Sequence, residues 1–305
     1  MKINRLLVIS MLSTSMMAIT SCDKDNEGET IYRYPFTSCY AVVTDLSNDN
    51  TQTISSPVSI SMDANWTTGK AEMTISGIEI GGSSYPAMTT SKTDWQLLDN
   101  MTWGEVTGST VGTLATGAQV LLSDFKFDWA DRADLAAKLI EKDPTLKYDP
   151  AVSFSYIIDG KYKVAGARQP FRIAGETTST PAGGEGFTSN VSLYTVSLDF
   201  INKVASIKVQ NASFAQGMPL MEMEFPGISY SIDENAVVSL SCDALTPTMG
   251  GVPMPNYPIS DLRATIRPGR EKSQLHFVCN FRGLPFTVEA SLDFTSYEGF
   301  IGVED

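Results

Sequence analysis

The sequence predicts an all-β protein made of two related antiparallel β-domains, each a barrel or a two-sheet sandwich, produced by an internal duplication and carrying one short helix inserted in the first. Three observations predict it. One offset of 133 residues relates Lys70 to Lys203, Pro86 to Pro219 and Met88 to Met221. Each copy opens on a turn residue and a lysine, runs through an alternating strand and ends at Pro-x-Met. The strand residues are Met73, Ile75, Ile78 and Ile80 in one copy and Val204, Ile207, Val209 and Phe214 in the other. Elsewhere, apolar residues recur at every second position in short runs broken by Gly, Asn, Asp, Ser and Pro. The crossover helices that parallel strands require are missing from this pattern.

In chain order, Lys2 and Arg5 precede an apolar run from Leu6 to Met17. That run is shorter than the roughly 20 residues of a spanning helix and has the layout of a secretory signal, assigned to residues 1–21. It ends at Ala18-Ile19-Thr20-Ser21-Cys22, which resembles the lipobox of bacterial lipoproteins, with Ile19 where leucine is usual. The resemblance implies an acylated Cys22 and a membrane partner reached through that N-terminal lipid anchor, each buried methylene contributing roughly 0.8 kcal/mol. Residues 22–33 follow as an acidic flexible tether, beginning Asp23-Lys24-Asp25-Asn26-Glu27-Gly28-Glu29. The acidic stretch resembles the signal behind the acylated cysteine of surface-exposed lipoproteins in Bacteroides-type bacteria. It implies an exported protein anchored to the outer membrane and exposed at the surface.

The first β-domain is expected over residues 34–175. Tyr40, Val42 and Thr44 alternate, as do Val58, Ile60 and Met62, and Asp63 to Gly69 reads as a hairpin loop. Phe125, Phe127 and Trp129 share one face of a strand and Asp124, Lys126 and Asp128 the other. The helix is expected near 131–142, with an aspartate at its start, Leu135, Leu139 and Ile140 on one face and Pro144 beyond its end. The Thr, Gly, Ser and Pro content of 176–188, without apolar periodicity, predicts the linker. The second domain, 189–305, repeats the order of signals. Ser260-Asp261-Leu262-Arg263 matches Ser123-Asp124-Phe125-Lys126, Phe277 matches Phe154, and Pro285-Phe286-Thr287-Val288 matches Pro170-Phe171-Arg172-Ile173.

Taken with Met218-Pro219-Leu220, the mid-domain Ser260-Asp261 strand and a terminal hairpin through Phe277 and Phe286, this order resembles the calycin-like, lipocalin-related domains of Bacteroides-type lipoproteins. That resemblance implies ligand binding in a barrel interior and brings no catalytic residues.

Chemistry is sparse. The chain holds one histidine, His276, in phase with Val278 and Asn280 on an expected outer face, so no catalytic triad and no ordinary zinc site is predicted. Gly81-Gly82 and Gly250-Gly251 lack the downstream Lys-Ser/Thr of a phosphate loop and read as turns. The net charge of −13 argues against nucleic acid as a partner. No cofactor, no metal and no enzymatic activity are expected. Cys242 and Cys279 both fall on apolar faces, which favours two buried free thiols, with a disulfide in an oxidising exported compartment as the alternative. All four tryptophans lie in the first copy. Trp129 reads as core, whereas Trp66, Trp95 and Trp103 are candidate ligand-binding residues, with packing over a barrel end as the other reading. Two functions follow. One is a surface lipoprotein that binds a small apolar molecule or a glycan without catalysis; the other is a structural or accessory lipoprotein that binds another envelope protein.

Overall fold

A computed structural model describes residues 28–98, 103–130, 150–281 and 283–299. Sixteen strands build two closed eight-stranded antiparallel barrels. The first comprises β1 (Ile31–Asp45), β2 (Asn50–Asn65), β3 (Lys70–Ser76), β4 (Met88–Thr90), β5 (Trp103–Leu114), β6 (Gln119–Ala130), β7 (Val152–Ile158) and β8 (Tyr162–Arg168). The second comprises β9 (Phe171–Pro181), β10 (Leu193–Asp199), β11 (Val204–Ala212), β12 (Met221–Ile232), β13 (Val238–Leu245), β14 (Ile259–Ile266), β15 (Ser273–Phe281) and β16 (Leu284–Asp293). In each barrel consecutive strands pair in sequence and the eighth returns to the first, Arg168 opposite Cys39 and Asp293 opposite Ala174. Closure removes the unpaired edges that an open sheet would expose. A short helix, Phe294–Gly299, packs Phe294 against Phe171 of β9, ring centroids 6.2 Å apart.

The duplication is visible in the backbone. Asp124 and Asp261 sit at corresponding places on the sixth strand of each barrel, both with positive φ (47° and 49°). At both, the register slips, between Ser123 and Lys126 and between Ser260 and Arg263. Aspartate tolerates the left-handed region better than most side chains, and the extra residue bends and twists the strand as a small barrel wall requires. The repeated Ser-Asp is therefore a shared β-bulge. Phe154 and Phe277 likewise occupy the seventh strand of their barrels, as the sequence match predicts.

The boundary between the barrels differs from the expected one. Phe171–Ile173, matched by sequence to the last hairpin of the first copy, begins the first strand of the second barrel, and residues 176–181 of the expected linker continue it. Only Gln169-Pro170 separates β8 from β9. The strand escapes a periodicity reading because two of its inward positions are hydroxyl residues that find internal partners. Thr177 Oγ1 lies 3.1 Å from Tyr194 Oη, and Ser179 Oγ donates to the Phe214 carbonyl at 2.7 Å, so burial leaves neither unpaired. Residues 31–33 of the expected tether are already in β1. The expected helix at 131–142, Cys22 and residues 1–21 lie outside the described residues.

Both interiors are filled by side chains. Phe36, Phe125, Phe127 and Tyr156 pack in the first, Phe171, Tyr194, Phe225 and Phe277 in the second. An eight-stranded barrel has an interior of about the width that side chains fill. Cys39, Cys242 and Cys279 are free thiols; burial pushes those of Cys39 and Cys279 up to about 12, which keeps them uncharged and unreactive.

Because β9 closes the second barrel, a chain starting at Gln169 keeps all eight strands while one starting at Phe187 loses a stave. The first should melt cooperatively by circular dichroism, at a lower temperature than the whole protein. The second should give no cooperative transition, and a sharp melt from it would show that β9 is dispensable.

Candidate binding cleft between the barrels

The tryptophans proposed from sequence separate into two places. Trp66 follows β2 in the turn to β3, and its ring centroid is 4.9 Å from that of Trp95; Trp95 in turn is 5.8 Å from Trp129. Tyr32 and Tyr34 flank this group, the first edge-on to Trp66 and the second beside Trp129. Together they close the end of the first barrel where the chain enters β1. Trp103 belongs elsewhere: it starts β5, is 3 % exposed and packs into the core shared with the second barrel. It is therefore not an aromatic at an exposed loop tip. Trp95 is also buried, at 8 % exposure, and Trp66 is half-buried. The indole N–H groups of Trp66, Trp95 and Trp129 have no hydrogen-bond partner.

The first barrel presents β1 and β8 to the second. From Cys39 to Thr44 every side chain of β1 is buried, so both faces of the strand are covered. Cys39, Ala41 and Val43 point into the first barrel, Tyr40 and Val42 into the core of the second. The Tyr40 hydroxyl donates to the Ala236 carbonyl at 2.6 Å, and its ring packs edge-on against Phe171 at 5.9 Å. Burial holds this hydroxyl neutral, well above the ordinary tyrosine range.

Beside this contact the barrels diverge to leave a cleft of about 580 Å³. Its walls include Lys126, Asp128 and Ser153 from the first barrel and Asp233, Arg267, Arg270 and Glu271 from the second. The turn after β14 carries Arg267-Pro268-Gly269-Arg270 across the gap. Gly269 has φ +85° and sits so close that a Cβ there would lie 2.8 Å from Ser153 Oγ and 3.6 Å from Asp128 Oδ2. Glycine meets both demands at once, the left-handed backbone and the close approach. Arg270 then reaches buried Glu105 at 3.4 Å, and Glu105 accepts a second bond from Gln96 Nε2 at 3.0 Å. On the same side Lys163 Nζ donates to Asn235 Oδ1 at 2.6 Å.

Asp128 is the least satisfied group of this cleft. It is 2 % exposed, its Oδ2 lies 3.2 Å from Lys126 Nζ, and its Oδ1 has no partner. Burial raises its carboxyl above the ordinary aspartate range, outweighing the nearby Lys126 ammonium. Periodicity puts Asp128 on the polar face of β6, and so it is. That face is covered because the second barrel packs over it, a fact that no pattern within β6 contains. The pair of arginines around Pro268-Gly269, in a chain of net charge −13, is the one sequence signal that marks the cleft. Among the described residues, no group of three His, Cys, Asp or Glu side chains could hold a metal.

No protein-family model and no curated protein matches the chain. Among solved structures, a candidate outer membrane protein from Bacteroides fragilis NCTC 9343 is similar at 10 % identity and a TM-score of 0.30, over 84 % of this chain and 94 % of that one.

The packing fixes which tryptophans carry stability. Trp103→Ala and Trp129→Ala should each cost about 3 to 5 kcal/mol, as truncations of buried rings, and Trp66→Ala less. Chemical denaturation of the three variants checks this, and a near-neutral Trp103→Ala would contradict its burial. Asp128 makes a second prediction. With its pKa raised in the folded state, the native protein binds more protons than the unfolded chain between the ordinary aspartate pKa and the raised one. Its contribution to stability is therefore present below that window and lost as pH rises through it. Asp128→Asn, measured against the parent across pH 3 to 8, should gain relative stability as pH increases; a difference independent of pH would refute the assignment.

Proposed function

We propose that the protein is an exported lipoprotein, anchored through Cys22 at the outer membrane and exposed at the surface, whose calycin-like double barrel binds a glycan in the cleft between the barrels without catalysis. The observation that carries this reading is the buried Asp128 Oδ1, a hydrogen-bond acceptor without a partner in a cleft of about 580 Å³. Ligand sites run from about 300 to 1,000 Å³ and favour domain interfaces. A buried unpaired acceptor costs about 1 to 3 kcal/mol, which a ligand supplying a donor would relieve. Lys126 is paired with Asp128, Arg267 with Glu271 and Arg270 with Glu105, so the cleft shows balanced charges. A sugar hydroxyl both donates and accepts, and suits such a surface better than an apolar molecule does. The filled barrel interiors favour the same choice. The non-catalytic reading is supported by His276, held on the outer wall between Glu289 (2.6 Å) and Asp261 (3.4 Å).

A second reading, an accessory protein that binds another envelope protein, is favoured by exposed Leu220, Val252 and Leu284 around one end of the second barrel. Calorimetric titration of the mature chain with a panel of neutral oligosaccharides separates the two. Binding that Asp128→Ala or Arg267→Ala weakens by about tenfold, about 1.4 kcal/mol, supports the cleft. Binding untouched by both variants, or none across the panel while envelope proteins crosslink to that barrel end, would replace it with the second reading. Cys22→Ala should release the protein from the membrane fraction in either case.

A further inference from the structure

Where the second barrel departs from the first, it gathers methionines. The 133-residue offset that carries Met88 to Met221 carries Thr90 to Met223, so the fourth strand of the second copy has two methionines where the first has one. Residues two apart on a strand share a face, which puts Met221 and Met223 side by side at the start of β12. The connection between the fifth and sixth strands also differs. In the first barrel it is the short turn from Leu114 to Gln119; in the second it is a lobe from Leu245 to Ile259.

The lobe folds back over the paired methionines. Thr248 pairs with Glu224 of β12, and a two-stranded hairpin matches Thr248 with Pro253 and Met249 with Val252. Gly250 and Gly251, at φ 56° and 79°, make its tight turn. The Met254 N–H donates to the Pro247 carbonyl at 2.8 Å, which closes the base of the lobe. Met221, Met223, Met249 and Met254 thereby line one pocket, walled by Tyr257 and Phe281, whose rings are 4.7 Å apart.

We propose that this pocket is a binding site for a soft monovalent cation, Cu(I) or Ag(I), held by the thioether sulfurs of Met221, Met223, Met249 and Met254. Size and chemistry agree on the class. The pocket measures about 50 Å³, far below the 300 Å³ or more of organic-ligand sites, but above the 10 to 15 Å³ or so that a single water needs. Its lining contains no carboxylate and no imidazole, so Ca²⁺, Mg²⁺ and Zn²⁺ would give up hydration or harder ligands without replacement. Thioethers are soft and polarizable, and select Cu(I) among biological metals. The position suits entry, since Met249 is exposed and the pocket opens at a barrel end of a protein whose net charge is −13. Methionine used only as an adaptable core filler would account for the apolar wall, and the test is chosen to separate that role from ligation.

The test uses the mature chain with Cys22→Ala and Cys242→Ser, because an accessible thiol would compete for silver. Silver nitrate is titrated in chloride-free buffer, followed by calorimetry and by the ε-methyl resonances of methionine. One equivalent should bind and move the four pocket methyls together, while Ca²⁺ and Zn²⁺ at the same concentration leave them in place. Met249→Leu with Met254→Leu keeps volume and apolarity, so it should weaken silver by more than about tenfold with little change in melting temperature. Should that pair fail to fold, Met254→Leu alone, at a half-buried position of the lobe, gives the same comparison. The proposal is overturned by methyl shifts scattered over other methionines, by unchanged affinity in the folded leucine variants, or by equal binding of Ca²⁺ or Zn²⁺.

Discussion

Strand β1 serves two cores at once, and the arrangement of the molecule depends on that. A barrel strand ordinarily turns one face to the interior and the other to water, which is why alternation marks it in a sequence. From Cys39 to Thr44 β1 has no solvent face: Ala41 and Val43 fill one barrel while Tyr40 and Val42 fill the space against the other. Tyr40 could not be buried there without a partner for its hydroxyl, and the Ala236 carbonyl supplies it. Ala165 and Ala167 on neighbouring β8 are small enough to let the second barrel approach. With the barrels held in contact along one wall, the space beside that wall is a cleft with charged side chains from both.

The same contact explains the electrostatics of the cleft. Asp128 and Glu105 stand on strand faces that an isolated barrel would leave in water, where a carboxylate costs nothing to keep. Docking removes that water. Glu105 is compensated by Arg270 and Gln96, whereas Asp128 receives only Lys126 and keeps one oxygen bare. The raised carboxyl of Asp128 follows from this incomplete compensation. It is a property of the pair of barrels rather than of either one.

How much of this was legible in the sequence follows from which interactions are local. Strand alternation is local, and the all-β class, the antiparallel pairing and the hairpin between β2 and β3 are where the pattern puts them, although the hairpin's loop is Trp66–Gly69 and Asp63–Asn65 are still paired in β2. The duplication is legible because barrel closure imposes the same bulge on both copies, so the Ser-Asp of residues 123–124 recurs at 260–261. The domain boundary was not legible, because Thr177 and Ser179 are inward residues disguised as linker residues, made tolerable by partners 17 and 35 positions away. Trp103 misleads for the mirror-image reason: its neighbours Thr102 and Gly104 suggest a loop, while a second barrel buries it. The cleft was invisible to any reading of one strand, since Asp128, Ser153 and Arg267 meet only when both barrels are built.

A duplicated barrel also provides its own control. Positions that agree between the copies, such as Asp124 with Asp261 or Phe154 with Phe277, answer to the shared demands of closing and filling an eight-stranded wall. Positions that differ answer to something else. The tryptophan-capped end appears only in the first barrel and the methionine lobe only in the second, and each draws on residues from separate strands and turns. A lobe of thirteen residues in place of a four-residue turn incurs loop entropy that grows only slowly with length, roughly 0.6 kcal/mol per doubling. So modest a cost is easily carried by a few buried methionine contacts, and stability alone therefore cannot say why the lobe is there. What distinguishes it from filler is composition: leucine or isoleucine would pack such a pocket at least as rigidly, and four thioethers around one small space offer ligation that neither can.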